Sequence, residues 1–387
     1  MRRDTRLVHG GRHPEKQYGL VNPPVYRGST VLFPDLDAIR AEEAKGKDAF
    51  SYGRHGTPTH RALAEAMTEL EGAYDTLILP SGMAAVSAVL FGLLSAGDHL
   101  LMTDSCYGPT RSFCDKHLAR LGVSVDYYDP GIGGAIADLI RPETRLIFTE
   151  SPGSLTFEVQ DIPAIVAAAR DTGVLTAIDN TWATPLFFRP LDHGVDVSIQ
   201  AATKYIVGHA DALLGTVATR AKEPFDAIRS GIRGLGYSTG PDDVYLGLRG
   251  LRTLSLRLSR HQAAALQLAQ WLQQRPEVAR VLYPALPGDP GHDLWLRDFG
   301  GATGLMGAVL QPDRLAEAEA LCAACRLFGI GFSWGGFESL IYCYGERLAR
   351  SATAPEPGGP LIRLHVGLED PQDLIADLDQ AFTRAFG

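Results

Sequence analysis

The stretch DTLILPSGMAAVSAVLFGLLSAGDHLLMTD, residues 75–104, holds two short apolar runs separated by an Ala/Leu-rich segment. "DTLILP" and "HLLMTD" are of strand length and bounded by turn residues, whereas "AAVSAVLFGLLSAG" is long and made of helix formers. Strand, helix and strand in alternation are the signature of a mainly parallel sheet wrapped by helices. The pattern continues outward: "VSVDYYD", "TRLIFTE", "VLTAID", "VDVSIQA" and "LLGTVAT" give further strands to about residue 220, with helices such as "IPAIVAAARDTG" between most of them. The fold class is therefore α/β, a mainly parallel sheet wrapped by helices. In such folds the ligand lies at the carboxyl ends of the strands.

The pattern stops on both sides. Residues 1–55 are Pro/Gly-rich and have no period of their own, so an irregular arm is expected there. Residues 56–248 form the expected large domain. From 249 to 387 long helices alternate with a few strands, "GLMGAVL", "ESLIYC" and "PLIRLHVG", which reads as a smaller C-terminal domain. "EDPQDLIADL" begins a helix there, with Asp370 as its cap and Pro371 in its first turn. No internal repeat is visible, and "PGIGGA" is a glycine loop without the long helix and distal acid of a dinucleotide site.

A chain of 387 residues, 45% of them hydrophobic, can bury a large core. Its formal charge of -9 and its lack of a long Lys/Arg run disfavour nucleic acid or an anionic membrane as partner and point to a small molecule. No run approaches the roughly 18 apolar residues of a membrane span, and the basic start "MRRDTRLVHGGRHPEK" has no apolar segment behind it. A cytoplasmic location is expected. The five cysteines are scattered, which suits a reducing compartment. Cys322 and Cys325 share a face of a helical pattern, "LAEAEALCAACRLFG", with no second ligand pair, so they read as core thiols and no metal is expected.

Three features at strand carboxyl ends bear on chemistry. "SIQAATKYIVGHADALLG", residues 198–215, puts Lys204 at the end of a buried strand. A buried ammonium loses its proton or its place, but a lysine in a covalent imine is stable there. "LILPSGMAAVSAVL" has a Ser81-Gly82-Met83 turn opening a helix, whose free amides and positive dipole end suit a phosphate, although such turns also open ordinary helices. "VLTAIDNTWATP" ends a strand at Asp179, a carboxylate that either faces a buried cation or caps the turn through Asn180 and Thr181. Phosphate cradle, acid and imine lysine together describe pyridoxal 5'-phosphate, whose ring nitrogen needs an acidic partner and whose aldehyde needs an amine.

With these residues in place, "YGRHGTPTH", "LPSGMAAV", "DNTWATP", "QAATKYIVGHAD", "SWGGFESL" and "LIRLHVGLED" resemble the Cys/Met-metabolism family of pyridoxal-phosphate enzymes nearly end to end, nearest its bacterial cystathionine β-lyase branch. The resemblance implies a fold of the aspartate-aminotransferase type, a homotetramer of dimers, and β-elimination from an amino-acid thioether such as cystathionine. By position it makes Lys204 the imine lysine and general base, Asp179 the partner of the ring nitrogen, and Tyr107 the aromatic stacked on the ring and a second proton donor. Gly82, Met83 and Thr203 match phosphate contacts. Tyr52 and Arg54 match a pair reaching the phosphate from a neighbouring subunit, with Tyr52 also at the substrate. Arg363 matches the clamp on the substrate carboxylate, beside Ser333 and Trp334; taken alone, Arg363 reads as a strand-edge surface arginine. Ala201 replaces a phosphate-binding serine of many members, and Ser154 of "ESPGSLT" replaces an asparagine. Both departures, and Trp334 where γ-acting relatives carry leucine, are features of the β-lyase branch. A γ-acting lyase or sulfhydrylase and a regulatory protein on the same fold remain as alternatives.

Overall fold

The computed structural model describes residues 1–355 and 357–387. Seven strands form one sheet: β1 (Asp75–Leu79), β2 (His99–Thr103), β3 (Ser124–Tyr128), β4 (Thr144–Glu150), β5 (Leu175–Asp179), β6 (Val197–Gln200) and β7 (Gly215–Thr219). Their order is β1-β7-β6-β5-β4-β2-β3, and only β7 runs against the rest. Every run that the hydrophobic pattern marks as a strand is one. Residues of β2, β6 and β7 are buried throughout, as strands covered on both faces must be.

Five further strands form a second sheet: β8 (Val278–Leu282), β9 (Leu305–Leu310), β10 (Gly329–Ile330), β11 (Leu340–Gly345) and β12 (Leu361–His365), in the order β10-β11-β12-β9-β8. β12 is central, not an edge, so Arg363 is interior and 5% exposed. The surface reading of Arg363 is corrected by that placement: "LIRLH" has apolar neighbours on both faces and hydrogen-bonded strands on both sides. One apolar cluster runs from the helix Pro58–Glu71 (Leu63, Met67) through the helix Leu254–Leu272 (Leu258, Leu268) to β9, β12 and the C-terminal helix Pro371–Phe386. Asp370 caps that last helix, its carboxylate accepting from the Gln372 N–H at 2.9 Å.

The arm is less irregular than its composition suggests. It contains the helices Arg3–His9, anchored by buried Leu7, and Leu36–Glu43, capped by Asp35. Both are too short to show a period against the surrounding Pro and Gly. All five cysteines are free; Cys322 is buried on the helix Leu315–Ala324, and Cys325 follows its end with the thiol donating to Leu321 O. Among the described residues no helix is long and apolar enough to cross a membrane, and no cluster of His, Cys, Asp and Glu could hold a metal.

Candidate active site

Because β6 and β7 are antiparallel neighbours, the segment joining them, residues 201–214, turns back at the carboxyl end of the parallel strands. Lys204 lies in that turn, and the Lys204 Nζ donates to Ser333 Oγ at 2.5 Å. It also lies 5.3 Å from the ring centre of Trp334. Burial first, and then the charge of Arg363, bring the Lys204 ammonium down to about 8, while Asp179 pulls the other way. The Lys204 backbone is pinned from the second sheet: a Cβ on Gly335, which has φ +86, would come within 3.0 Å of the Lys204 Cα. Only glycine tolerates both that conformation and that approach.

Asp179 ends β5. One of its oxygens accepts from Thr181 twice, from the N–H at 3.0 Å and the hydroxyl at 2.5 Å. Its second oxygen takes no hydrogen bond from the described residues. Burial nevertheless pushes the Asp179 carboxyl up against those bonds, so a cation at the second oxygen would restore its charged form. The local-turn and buried-cation readings of this residue are thus compatible. One oxygen caps the turn and the other is left for a partner.

The helix Gly82–Leu93 starts beside them. Ser81 caps it, its hydroxyl accepting from Ala84 N–H at 3.0 Å, and Ser81 O accepts from Ala85 N–H. The Gly82 and Met83 amides are thereby left without protein partners among the described residues, at the positive end of the helix. A Cβ on Gly82 would meet the Ala201 Cβ at 2.4 Å, so glycine here and a small residue at 201 let the helix start touch the Lys204 turn. Free amides for a dianion, an acid with one open oxygen and an amine of lowered pKa fit pyridoxal phosphate. Thr203 is the exception: its hydroxyl donates to Leu214 O at 3.1 Å and accepts from Leu214 N–H at 2.8 Å, so it ties the turn together.

Tyr107 follows β2 and is 47% exposed. Burial, then Tyr344, Asp179 and Glu150, raise its phenol, and Arg363 opposes them, so these groups share one space. The Arg363 Nη1 donates to the Tyr344 hydroxyl at 2.9 Å, and Nη2 donates to Gly331 O and Ser333 O, each at 3.1 Å. Its Nε is buried without a hydrogen-bond partner among the described residues. Ser333 therefore links amine and guanidinium, through its hydroxyl and its carbonyl, from a backbone held at φ +71. Tyr52 and Arg54 lie elsewhere. Tyr52 is exposed with its ring against His55, and Arg54 donates to Arg233 O at 3.2 Å, lining a cleft with Lys47, Arg61 and Arg229. No described contact joins either to Lys204.

Two residues of this site are absent from the sequence reading. Glu150 ends β4 directly opposite Asp179 in the register, and its carboxylate accepts from the Tyr107 N–H at 2.7 Å. Burial, and then the Asp179 charge, push its carboxyl far above the ordinary range. A signal existed: Glu150 is the polar end of an apolar strand, as Asp179 is. Tyr344 had none, because its place depends on the pairing of β11 with β12.

The sequence profile of a family described as "Cys/Met metabolism PLP-dependent enzyme" matches residues 4–383. A putative cystathionine beta-lyase of Rhizobium johnstonii is 51% identical over 99% of this chain and 96% of its own length. Cystathionine beta-lyase MetC of Escherichia coli is 44% identical over 98% of both. Among solved structures, metB from Corynebacterium glutamicum superposes with a TM-score of 0.91 at 31% identity, covering 99% of this chain and 98% of that one.

Proposed function

The chain belongs to the Cys/Met-metabolism family of PLP-dependent enzymes, and from that premise we propose that it is a carbon–sulfur β-lyase. Its substrate in this reading is L-cystathionine, cleaved with water to homocysteine, pyruvate and ammonia; cystine, cysteine and other S-substituted cysteines are further substrates. The observation that carries the reading is the Ser333 bridge, which joins a base of lowered pKa to a guanidinium that has no carboxylate partner among the described residues.

Each residue has a task. Arg363 holds the substrate carboxylate. When the cofactor is bound, the Gly82 and Met83 amides would hold its phosphate and Asp179 would hold a positive charge at its ring nitrogen. Pyridoxal phosphate, when bound, supplies an electron sink for the charge that develops at the substrate α-carbon. Lys204 takes the α-proton, a role its lowered pKa suits, and a proton from Lys204 or Tyr107 goes to the departing sulfur. Trp334 walls the site beside Ser333. Thr203 contributes through the turn it braces.

We further propose a homotetramer of dimers, with Tyr52 and Arg54 completing the phosphate site of a neighbour, and a cytoplasmic location in keeping with five free thiols. In this reading residues 1–55 are the arm, 56–248 the cofactor-binding domain and 249–387 the small domain. The test is purified enzyme with L-cystathionine, following pyruvate, α-ketobutyrate and free thiol together. Pyruvate and thiol in equal amounts are expected. α-Ketobutyrate as the main keto acid would establish the γ-acting alternative, and no turnover with any thioether would favour the regulatory one.

A further inference from the structure

Tyr344 owes its position to an irregularity. β11 and β12 pair in order from Leu340 with His365 to Cys343 with Ile362, and the next pair is Gly345 with Leu361. Tyr344 is the extra residue, a β-bulge, followed by Gly345 at φ +77. Bulges re-aim one side chain and are frequent beside active sites. Here the bulge puts the phenol oxygen 2.9 Å from the Arg363 Nη1, with the guanidinium carbon 5.4 Å from the ring centre. Tyr342, opposite Arg363 in the register, braces the Tyr344 ring edge-on at 4.9 Å and is itself packed on Phe332.

An arginine N–H can only donate, so the phenol oxygen accepts and its own hydrogen stays available. The other terminal nitrogen of Arg363 is committed to two carbonyls. Hence Nη1, with Tyr344 on it, is the arm open to a ligand. We propose that Tyr344 is a substrate-binding residue: its phenol accepts from Arg363 and donates to the carboxylate of the incoming amino acid, so that guanidinium and phenol grip that carboxylate together. The inference rests on the reading of Arg363 as the carboxylate clamp. It makes the bulged tyrosine a specificity element for α-carboxylates, whatever bond is later broken.

Glycine and methylamine test it, because they differ by the carboxylate and neither has a leaving group. Binding of each to the holoenzyme is read from the change in cofactor absorbance, for the parent, Tyr344→Phe, Arg363→Lys and the double variant. Tyr344→Phe should bind glycine about tenfold more weakly, the scale of one hydrogen bond to a charged group, and methylamine as the parent does. In the Arg363→Lys background the phenylalanine should add less, since the pair acts as a unit. Unchanged glycine binding by Tyr344→Phe, or equal weakening of both probes, would overturn the proposal. Unchanged glycine binding by Arg363→Lys would remove the clamp and the proposal with it. If the parent makes no pyruvate from thioethers yet the glycine and methylamine pattern holds, the β-lyase reading falls and this one stands.

Discussion

Lys204 shows how a single side chain is tuned from three directions. Burial favours the neutral amine, the Arg363 cation favours it further, and the Asp179 carboxylate opposes both. The result, about 8 against an ordinary 10.5, leaves a useful fraction of free base near neutrality. In cofactor-free protein an acylating reagent should therefore modify the Lys204 peptide with a half-maximal rate near pH 8, read by mass spectrometry after digestion. Arg363→Gln removes a like charge and should move that midpoint up; Asp179→Asn removes an opposite charge and should move it down. Identical midpoints in all three proteins would mean that burial alone sets the value. Lys204→Ala in the holoenzyme should lower turnover at least about a hundredfold, the low end for loss of a general base.

At the scale of elements, carboxylates at strand and helix ends recur. Glu71 closes the helix Pro58–Glu71 and accepts from the β6 residue Ser198 at 3.0 Å, while its other oxygen is buried and takes no hydrogen bond meeting ordinary geometry from the described residues. Burial raises it from 4.5 to about 8. The folded chain then keeps a proton that the unfolded chain gives up above its ordinary pKa. The contribution to stability is full below about pH 4.5 and drains away as pH rises to 8. Glu71→Gln has no proton to lose. Its urea midpoint relative to the parent should therefore improve between pH 5 and pH 8, and a constant difference across that range would refute the neutral acid. The strands themselves were legible because seven apolar runs with turn residues between them leave few other foldings, and Asp179 and Lys204 were legible as polar groups closing such runs. Tyr344 was not, because it depends on a bulge in a second sheet whose approach no local pattern encodes, and Ser333, on a left-handed backbone, was legible only by resemblance. Arg363 was legible only by resemblance, since periodicity does not say which strand is central.

Across the whole molecule, the arm is what a single chain leaves unexplained. Tyr18, Leu20, Val21, Leu32 and Leu36 are all more than half exposed, more apolar surface than a short segment ordinarily leaves to water. Tyr52 and Arg54, at the end of the arm, contact His55 and Arg233 and make no described contact with their own Lys204. Both facts are accounted for if a second copy covers the arm and receives Arg54 at its phosphate. A chain with Lys204→Ala and a chain with Arg54→Ala should then each be nearly inactive alone. When the two are unfolded and refolded together, a mixed pair has one site with native Lys204 and native Arg54, the latter from its neighbour, while its other site carries both defects. Random pairing at equal amounts makes half the pairs mixed, so about a quarter of the parent activity should return. If Arg54 served its own chain, every site would keep one defect and nothing would return. Hybrid oligomers verified by mass but no more active than their components would thus assign Arg54 to its own subunit, and the arm would need another partner.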